Sequence, residues 1–219
     1  MKNKLTIKKR IIVLGAGGHA KVLIEVLRHS DHEIIGITDP YVLKKPDFFE
    51  VKILGGDDQV LNYAPSEIVL VNAIGSTPNN NLRRALAEKM EKEGYSFIQV
   101  IHSSAVIATD VDIGWGAQIM AGVVMQSSVR IGASCIINTG VNIDHDCVIG
   151  EHCHLAPGVT LSGNVTIGKR THIGTGTSII QGVTVGQNCV IAAGSILYKD
   201  VPSNTKLIQQ RITKLEDIY

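Results

Sequence analysis

From Ile101 to Leu197 an aliphatic side chain recurs at every sixth residue: Ile101, Ile107, Ile113, Ile119, Met125, Ile131 and onward without a break, seventeen positions in all. Two residues ahead of each member from Ile107 on stands a small or β-branched residue, a series that begins Ala105, Val111, Ala117, Val123. A period of six with one large and one small inward residue describes a triangular parallel β-helix, with six residues on each face and eighteen in each coil. Three hexads per coil make between five and six coils, a prism about 25 Å long at roughly 4.8 Å per coil. Gly114, Gly132, Gly150, Gly168, Gly174 and Gly186 each follow a large residue, where tight corners are expected to need positive φ.

Ahead of the repeat the pattern changes. Residues 11–14 read as a buried strand, 15–20 (Gly-Ala-Gly-Gly-His-Ala) as a turn and 20–29 as a helix. A second strand at 33–38 ends at Asp39, a third at 68–74 ends at Gly75-Ser76, and 78–93 reads as another helix. Strands alternating with helices predict a parallel sheet whose ligand lies at the carboxyl ends of the strands. The fold class expected is therefore mixed α/β plus all-β: a small Rossmann-like domain at 1–97, then a β-helix domain with a C-terminal tail at 98–219.

The turn fits G-x-G-x-x-A, and Asp39 lies 24 residues beyond Gly15. Gly17 and Gly18 allow backbone amides to approach a phosphate, and the helix that follows favours negative charge at its start. His19 stands either at the mouth of that site or as a solvated first-turn histidine. Asp39 is positioned to accept hydrogen bonds from a ribose or a base. Only about 95 residues precede the repeat, half of a dinucleotide fold, so a mononucleotide is expected rather than NAD.

Composition narrows the partners. Lys and Arg total 21 against 20 for Asp and Glu, so no global field favours nucleic acid or an anionic membrane, and neither is expected as a partner. No stretch approaches the roughly 18 to 20 apolar residues of a membrane span, and the basic start lacks the apolar length and cleavage site of a signal peptide, so a cytoplasmic location is expected. Cys135, Cys147, Cys153 and Cys189 are spaced by 12, 6 and 36, with no CxxC. They fall in the small-residue series and read as filler.

With Gly15-Ala16-Gly17-Gly18-His19, Asp39, Ala73-Ile74-Gly75, and Asn138 through Asp144-His145-Asp146-Cys147, the chain resembles the PglD/NeuD-type bacterial nucleotide-sugar acetyltransferases of the hexapeptide-repeat class. The resemblance implies a left-handed β-helix, a homotrimer, and acetyl-CoA as co-substrate in the groove between neighbouring subunits, with no metal. It places the catalytic base on His145 with Asp146 beside it. It places Gly17, Gly18, His19, Asp39, Pro40, Gly75 and Asn138 on the nucleotide-sugar substrate, and His154, Gly163, Thr175, Ala193 and Lys214 along acetyl-CoA. Two departures stand out: Pro40 replaces a usual second acidic residue, and the tail Gln209-Gln210-Arg211-Ile212-Thr213-Lys214 keeps only Lys214 of a common CoA-packing segment.

The reaction implied is direct acetyl transfer to the 4-amino group of a nucleotide-linked 4-amino-4,6-dideoxy sugar, most simply UDP-linked as in bacillosamine synthesis. Such a transfer needs a base for the amine proton and donors for the developing oxyanion. Adjacent side chains diverge on a strand, so pairing His145 with Asp144 or Asp146 requires a corner. The eighteen-residue step stacks Gly163 over His145, and a larger residue at 163 is expected to obstruct acetyl-CoA and weaken its binding. The alternatives are a sialic-acid-type sugar O-acetyltransferase and a zinc-dependent β-helix hydratase drawing on His145, His152, His154 and His172.

Overall fold

A computed structural model of the chain describes residues 8–41, 46–76 and 81–209. The N-terminal unit opens with β1 (Arg10–Leu14), whose four apolar residues are fully buried, followed by α1 (Gly18–Arg28) and β2 (Glu33–Thr38). A short hairpin of β3 (Asp47–Phe48) and β4 (Val51–Gly55), a 3-10 helix at Asp57–Asn62, β5 (Ile68–Asn72) and α2 (Asn81–Lys92) complete it. The sheet order is β3-β4-β2-β1-β5, parallel throughout except for the β3–β4 pair. The hairpin, which hydrophobic patterning did not disclose, extends the sheet beyond β2. The two helices cover opposite sheet faces: α1 buries Ala20, Leu23, Ile24 and Leu27 with Ile11 and Val13, while α2 buries Leu86, Ala87 and Met90 with Ile12 and Leu14.

The remainder is a left-handed parallel β-helix of two-residue strands in three parallel sheets of seven, six and five strands. The first face runs from Val100–Ile101 through Gln118–Ile119, Ile136–Ile137, His154–Leu155 and His172–Ile173. The second carries Val124–Met125, Asn142–Ile143 and Thr160–Leu161, and the third Arg130–Ile131, Val148–Ile149 and Thr166–Ile167. Registers step by eighteen, as in Ile136↔His154 and Asn142↔Thr160. The step shortens after Leu197, where Val190 pairs with Lys206 and Val185 with Val201. From Ile119 on, the large series is buried with its small partners in one continuous core that includes all four cysteine thiols, Ile107 and Ile113 pack partly buried against it, and Ile101 at the open end is exposed. Each large aliphatic so buried contributes about 1.5–3 kcal/mol relative to exposure.

The corners correct the expectation for the glycines. Positive φ falls two residues later, at every sixth residue from Gly116 to Gly194, including Ser128, Asp146 and Asn164. Gly114, Gly132, Gly150, Gly168, Gly174 and Gly186 are required by closeness instead: a Cβ on any of them would lie 2.4–2.5 Å from a backbone nitrogen of the next coil. Carbonyls of one coil accept amides of another at these corners, for example Asn164 N to His145 O at 2.8 Å.

The two units pack as one body. Phe97 bridges to Leu70 at the edge of the α/β sheet, and three residues later Val100 begins the first face. Val100 and Met120 join the N-terminal core. The outward side chains Gln118, Ile136 and His154 of that first face are all buried, whereas the equivalents Asn142, Thr160 and Ser178 of the second face are exposed.

Candidate active site

The cleft of the N-terminal unit forms where the carboxyl ends of β1, β2 and β5 meet. It has a volume of about 230 Å³ and is lined by Gly15, Gly17, Asp39, Pro40, Ile74 and Gly75, among others. Gly15 has φ +97° and its Cβ would crowd Ile74, so the fold itself requires that glycine. Gly17 and Gly18 differ: neither has positive φ, and a Cβ on either would meet nothing within 4 Å. Gly17 caps α1 without a side-chain hydrogen bond, and the first turn of α1 carries no acidic residue, so the first amides of the helix have no side-chain partner among the described residues and could receive an anion. Gly75 faces the same space.

Asp39 has a structural duty beside any ligand. Its Oδ2 accepts from Ala16 N at 2.8 Å and its Oδ1 from Tyr41 N at 2.8 Å, which ties the glycine-rich turn to the end of β2. Each oxygen retains a further lone pair, and Asp39 lines the cleft. His19 does not line the cleft: its Nε2 lies 2.7 Å from Gln118 Oε1 on the β-helix, and burial there pulls its pKa down to about 4.

His145 sits on the corner between the second and third faces. Asp146, next in sequence, takes φ +62°, and this turn brings its Oδ2 within 2.7 Å of His145 Nδ1. The backbone amide of His145 donates to Asp144 Oδ1 at 2.9 Å. With Nδ1–H donated to a carboxylate, Nε2 keeps the lone pair of a base. The hydrogen bond to Asp146 and the charge of Asp144 both raise the pKa of the imidazole, which is exposed. One coil on, the imidazole lies over Gly163: a Cβ there would stand 2.6 Å from His145 Cε1 and Nε2. The Gly163 amide has no hydrogen-bond partner among the described residues, while its carbonyl accepts from Gly182 N. A side chain at 163 would therefore displace the His145 ring, an effect added to the obstruction of acetyl-CoA expected from the sequence.

The remaining site residues lie elsewhere on the prism. Asn138, Thr175 and Ala193 occupy the corner between the first and second faces, and Thr175 and Ala193 are exposed. His154 is buried on the first face: its Nδ1 meets Ser76 O at 3.2 Å and its Nε2 meets Asn138 Nδ2 at 3.2 Å. Burial, with the neighbouring His172 adding to it, lowers its pKa to about 3. Lys214 lies outside the described residues. Among the described residues no group of three or more His, Cys, Asp or Glu is arranged to hold a metal ion, and no helix is long and apolar enough to cross a membrane.

Residues 10–90 match the PglD N-terminal domain, residues 128–163 the bacterial transferase hexapeptide (six repeats), and residues 164–199 the hexapeptide repeat of succinyl-transferase. A His-to-Ala mutant of the GDP-perosamine N-acetyltransferase from Caulobacter crescentus, solved with CoA and GDP-perosamine, superposes with a TM-score of 0.83. It is 35% identical, over 92% of this chain and 93% of that one. This chain belongs to the PglD-type hexapeptide-repeat acetyltransferase family. Another structure similar to this PglD-type chain is the acetyltransferase domain of PglB from Neisseria gonorrhoeae FA1090 in complex with acetyl coenzyme A, at TM-score 0.85 and 29% identity over 91% and 95% of the two chains. UDP-N-acetylbacillosamine N-acetyltransferase of Bacillus subtilis (strain 168) is 35% identical over 124 residues, 52% of either protein, so the match spans about half the length of that relative.

Two residues of the PglD-type chain escaped the sequence reading. Arg83 of α2 is buried, and its Nη1 donates to Asn72 O at 2.6 Å and Ile74 O at 2.7 Å, which holds the chain leaving β5 along the cleft wall. Burial lowers its pKa to about 10, so it stays charged at neutral pH. Gln118 is the other. The outward row at eighteen-residue spacing, Val100, Gln118, Ile136, His154, is visible in the sequence, but only the docking of the N-terminal unit separates it from the two solvated rows.

Proposed function

We propose that this chain transfers the acetyl group of acetyl-CoA to the 4-amino group of a nucleotide-linked 4-amino-4,6-dideoxy sugar, UDP-linked in the first instance, with His145 as general base. Residues 1–97 serve the sugar nucleotide and 98–219 the transfer. The observation that carries this reading is the His145–Asp146 pair, 2.7 Å apart on an open prism edge with its imidazole over an unsubstituted glycine.

Asp146 holds Nδ1–H, so Nε2 takes the proton from the amine as its nitrogen bonds to the acetyl carbon. The carbon–sulfur bond breaks and the thiolate leaves with its electron pair. The free Gly163 amide is placed to donate to the carbonyl oxygen as charge develops on it. No cysteine takes part, since all four thiols are buried in the prism core. Buried free thiols agree with a reducing, cytoplasmic setting.

One chain does not complete this site. His145 and Gly163 lie on the edge opposite the first face, against which the nucleotide-binding unit packs, and Asn138, Thr175 and Ala193 lie on another edge. A homotrimer, in which a rotated copy sets one edge against the other, unites them three times by symmetry. Thr175 and Ala193 then offer a small-residue wall for the CoA arm.

The test is thiol release from acetyl-CoA with UDP-, dTDP- and GDP-linked 4-amino-4,6-dideoxy sugars and CMP-sialic acid, beside light scattering. Turnover of a 4-amino sugar by a particle of three times 23.5 kDa is expected. Turnover of CMP-sialic acid alone replaces the amine by a hydroxyl acceptor. A fully active monomer, or activity that depends on bound zinc, overturns the reading.

A further inference from the structure

Gln118 is a primary amide with 1% of its surface exposed, set between the β-helix and the N-terminal unit. A buried amide has to satisfy both ends. Its Nε2 lies 2.7 Å from Asn72 O, and a backbone carbonyl only accepts, so this end is the NH₂ group. The other end, Oε1, therefore faces His19 Nε2 at 2.7 Å. An amide oxygen also only accepts, so the hydrogen sits on His19 Nε2. Burial and the Arg83 charge both disfavour a second proton on that ring, which is neutral at neutral pH. Nδ1 is left with a lone pair and has no partner among the described residues.

His19 does not line the cleft but stands directly behind its wall. A Cβ on Gly75, which lines the cleft, would lie 3.8 Å from His19 Cβ, and Gly17, two residues before His19, lines it too. The Asn72 carbonyl held by Gln118 also accepts from Arg83, and the next three residues, Ala73, Ile74 and Gly75, form the cleft wall. One amide thus grips both the turn and the wall.

We propose that Gln118 is a positioning residue of the sugar-nucleotide site: it fixes His19 as the Nε2–H tautomer, so that Nδ1 accepts a hydrogen bond from a hydroxyl or amino group of the ligand instead of pairing with its phosphate. The ligand class rests on the function proposed above; the tautomer does not. Phosphate oxygens are acceptors and have nothing to donate to a lone pair, so they are left to the amides at the start of α1. The hydrogen-bearing groups of a sugar nucleotide are the hydroxyls of its ribose and sugar, the N–H of its base and the amine of the sugar.

The experiment is a long-range proton–nitrogen spectrum of the protein labelled with ¹⁵N-histidine, with the His19 signals assigned by their loss in His19→Gln. The wild type is expected to show Nε2–H and a bare Nδ1 from pH 8 down to about pH 5. Gln118→Glu keeps the shape but replaces the donor to Asn72 with a second acceptor and sets a negative charge beside His19. It is expected to bring the His19 titration into the neutral range and raise the sugar-nucleotide KM by about tenfold, the cost of one hydrogen bond, with the acetyl-CoA KM unchanged. An Nδ1–H tautomer or a doubly protonated ring in the wild type at pH 7 overturns the proposal, even if Gln118→Glu fails to fold. So does a folded Gln118→Glu whose His19 titrates higher while the sugar-nucleotide KM stays put. A protein that turns over no sugar nucleotide yet shows the Nε2–H ring removes the proposed reaction and leaves the clamp standing.

Discussion

Glycine does opposite work in the two halves of this molecule. In the β-helix, Gly150 and Gly168 lack a side chain because the next coil fills the space: an added Cβ would lie 2.5 Å from Lys169 N and 2.4 Å from Gln187 N. In the cleft, Gly17 and Gly18 would meet nothing within 4 Å and have ordinary backbone angles. The fold explains the first pair and not the second. Packing does not require the side chain to be absent there, and under the function proposed above the amides at the start of α1 would meet the phosphates of the sugar nucleotide. Gly163 stands between the cases, its missing Cβ occupied by the His145 ring.

The sharpest way to break this contrast is Gly168→Val. Its side chain meets backbone rather than a movable rotamer, so a loss of about 3 kcal/mol or more, the upper end for overpacking, is expected, read as a collapse of Tm or of soluble yield. A Tm within a few degrees of wild type would show that the coils yield more than the geometry allows.

Next in size is His145→Ala, which lies on an exposed corner and should leave Tm unchanged while kcat falls by about 10²- to 10⁴-fold with both KM values preserved. The pH profile sharpens the assignment. A base must be neutral, so kcat declines as pH falls through the His145 pKa, which Asp146 and Asp144 raise. Asp146→Asn therefore should move that acid limb to lower pH and reduce the plateau. An unmoved limb would separate Asp146 from the base.

Gly17→Ala is the counterpart to Gly168→Val. With φ −97° and ψ −170° the backbone accepts alanine, so stability should stay within about 0.5 kcal/mol while the sugar-nucleotide KM rises about tenfold or more. Equal losses of stability in the two variants would erase the distinction.

An effect graded by pH rather than set by one substitution lies at the seam between the halves. His19 and His154 have folded-state pKa values of about 4 and about 3, below the ordinary 6.5. Between pH 6.5 and about 4 the unfolded chain binds more protons than the folded one, so stability is greatest above that window and declines as pH falls through it. The slope is on the order of 1 kcal/mol per pH unit for each ring. Urea melts at several pH values should show this decline, and His154→Gln should flatten it. A slope unchanged in that variant would mean that His154 is solvated in the folded protein.

The sequence alone determined the prism, because an unbroken six-residue period of aliphatic residues fits a triangular core, and a period is a local, additive signal. It placed Gly163 over His145 by the same arithmetic, and it marked the glycine turn and Asp39 at strand ends. It misread why the coil glycines are glycines, since contact with the next coil has no signature in a single hexad. The hairpin at residues 47–55 stayed hidden because β3 has only two residues and β4 fully buries only Val51, so neither carries a clear hydrophobic pattern. Only the tertiary structure decided that His19 turns to Gln118, that Arg83 grips the cleft wall, and that His154 lies beneath the N-terminal unit. Those facts depend on how two separately patterned units dock, and docking is set by surfaces 99 residues apart in the case of His19 and Gln118. No window along the chain contains both partners.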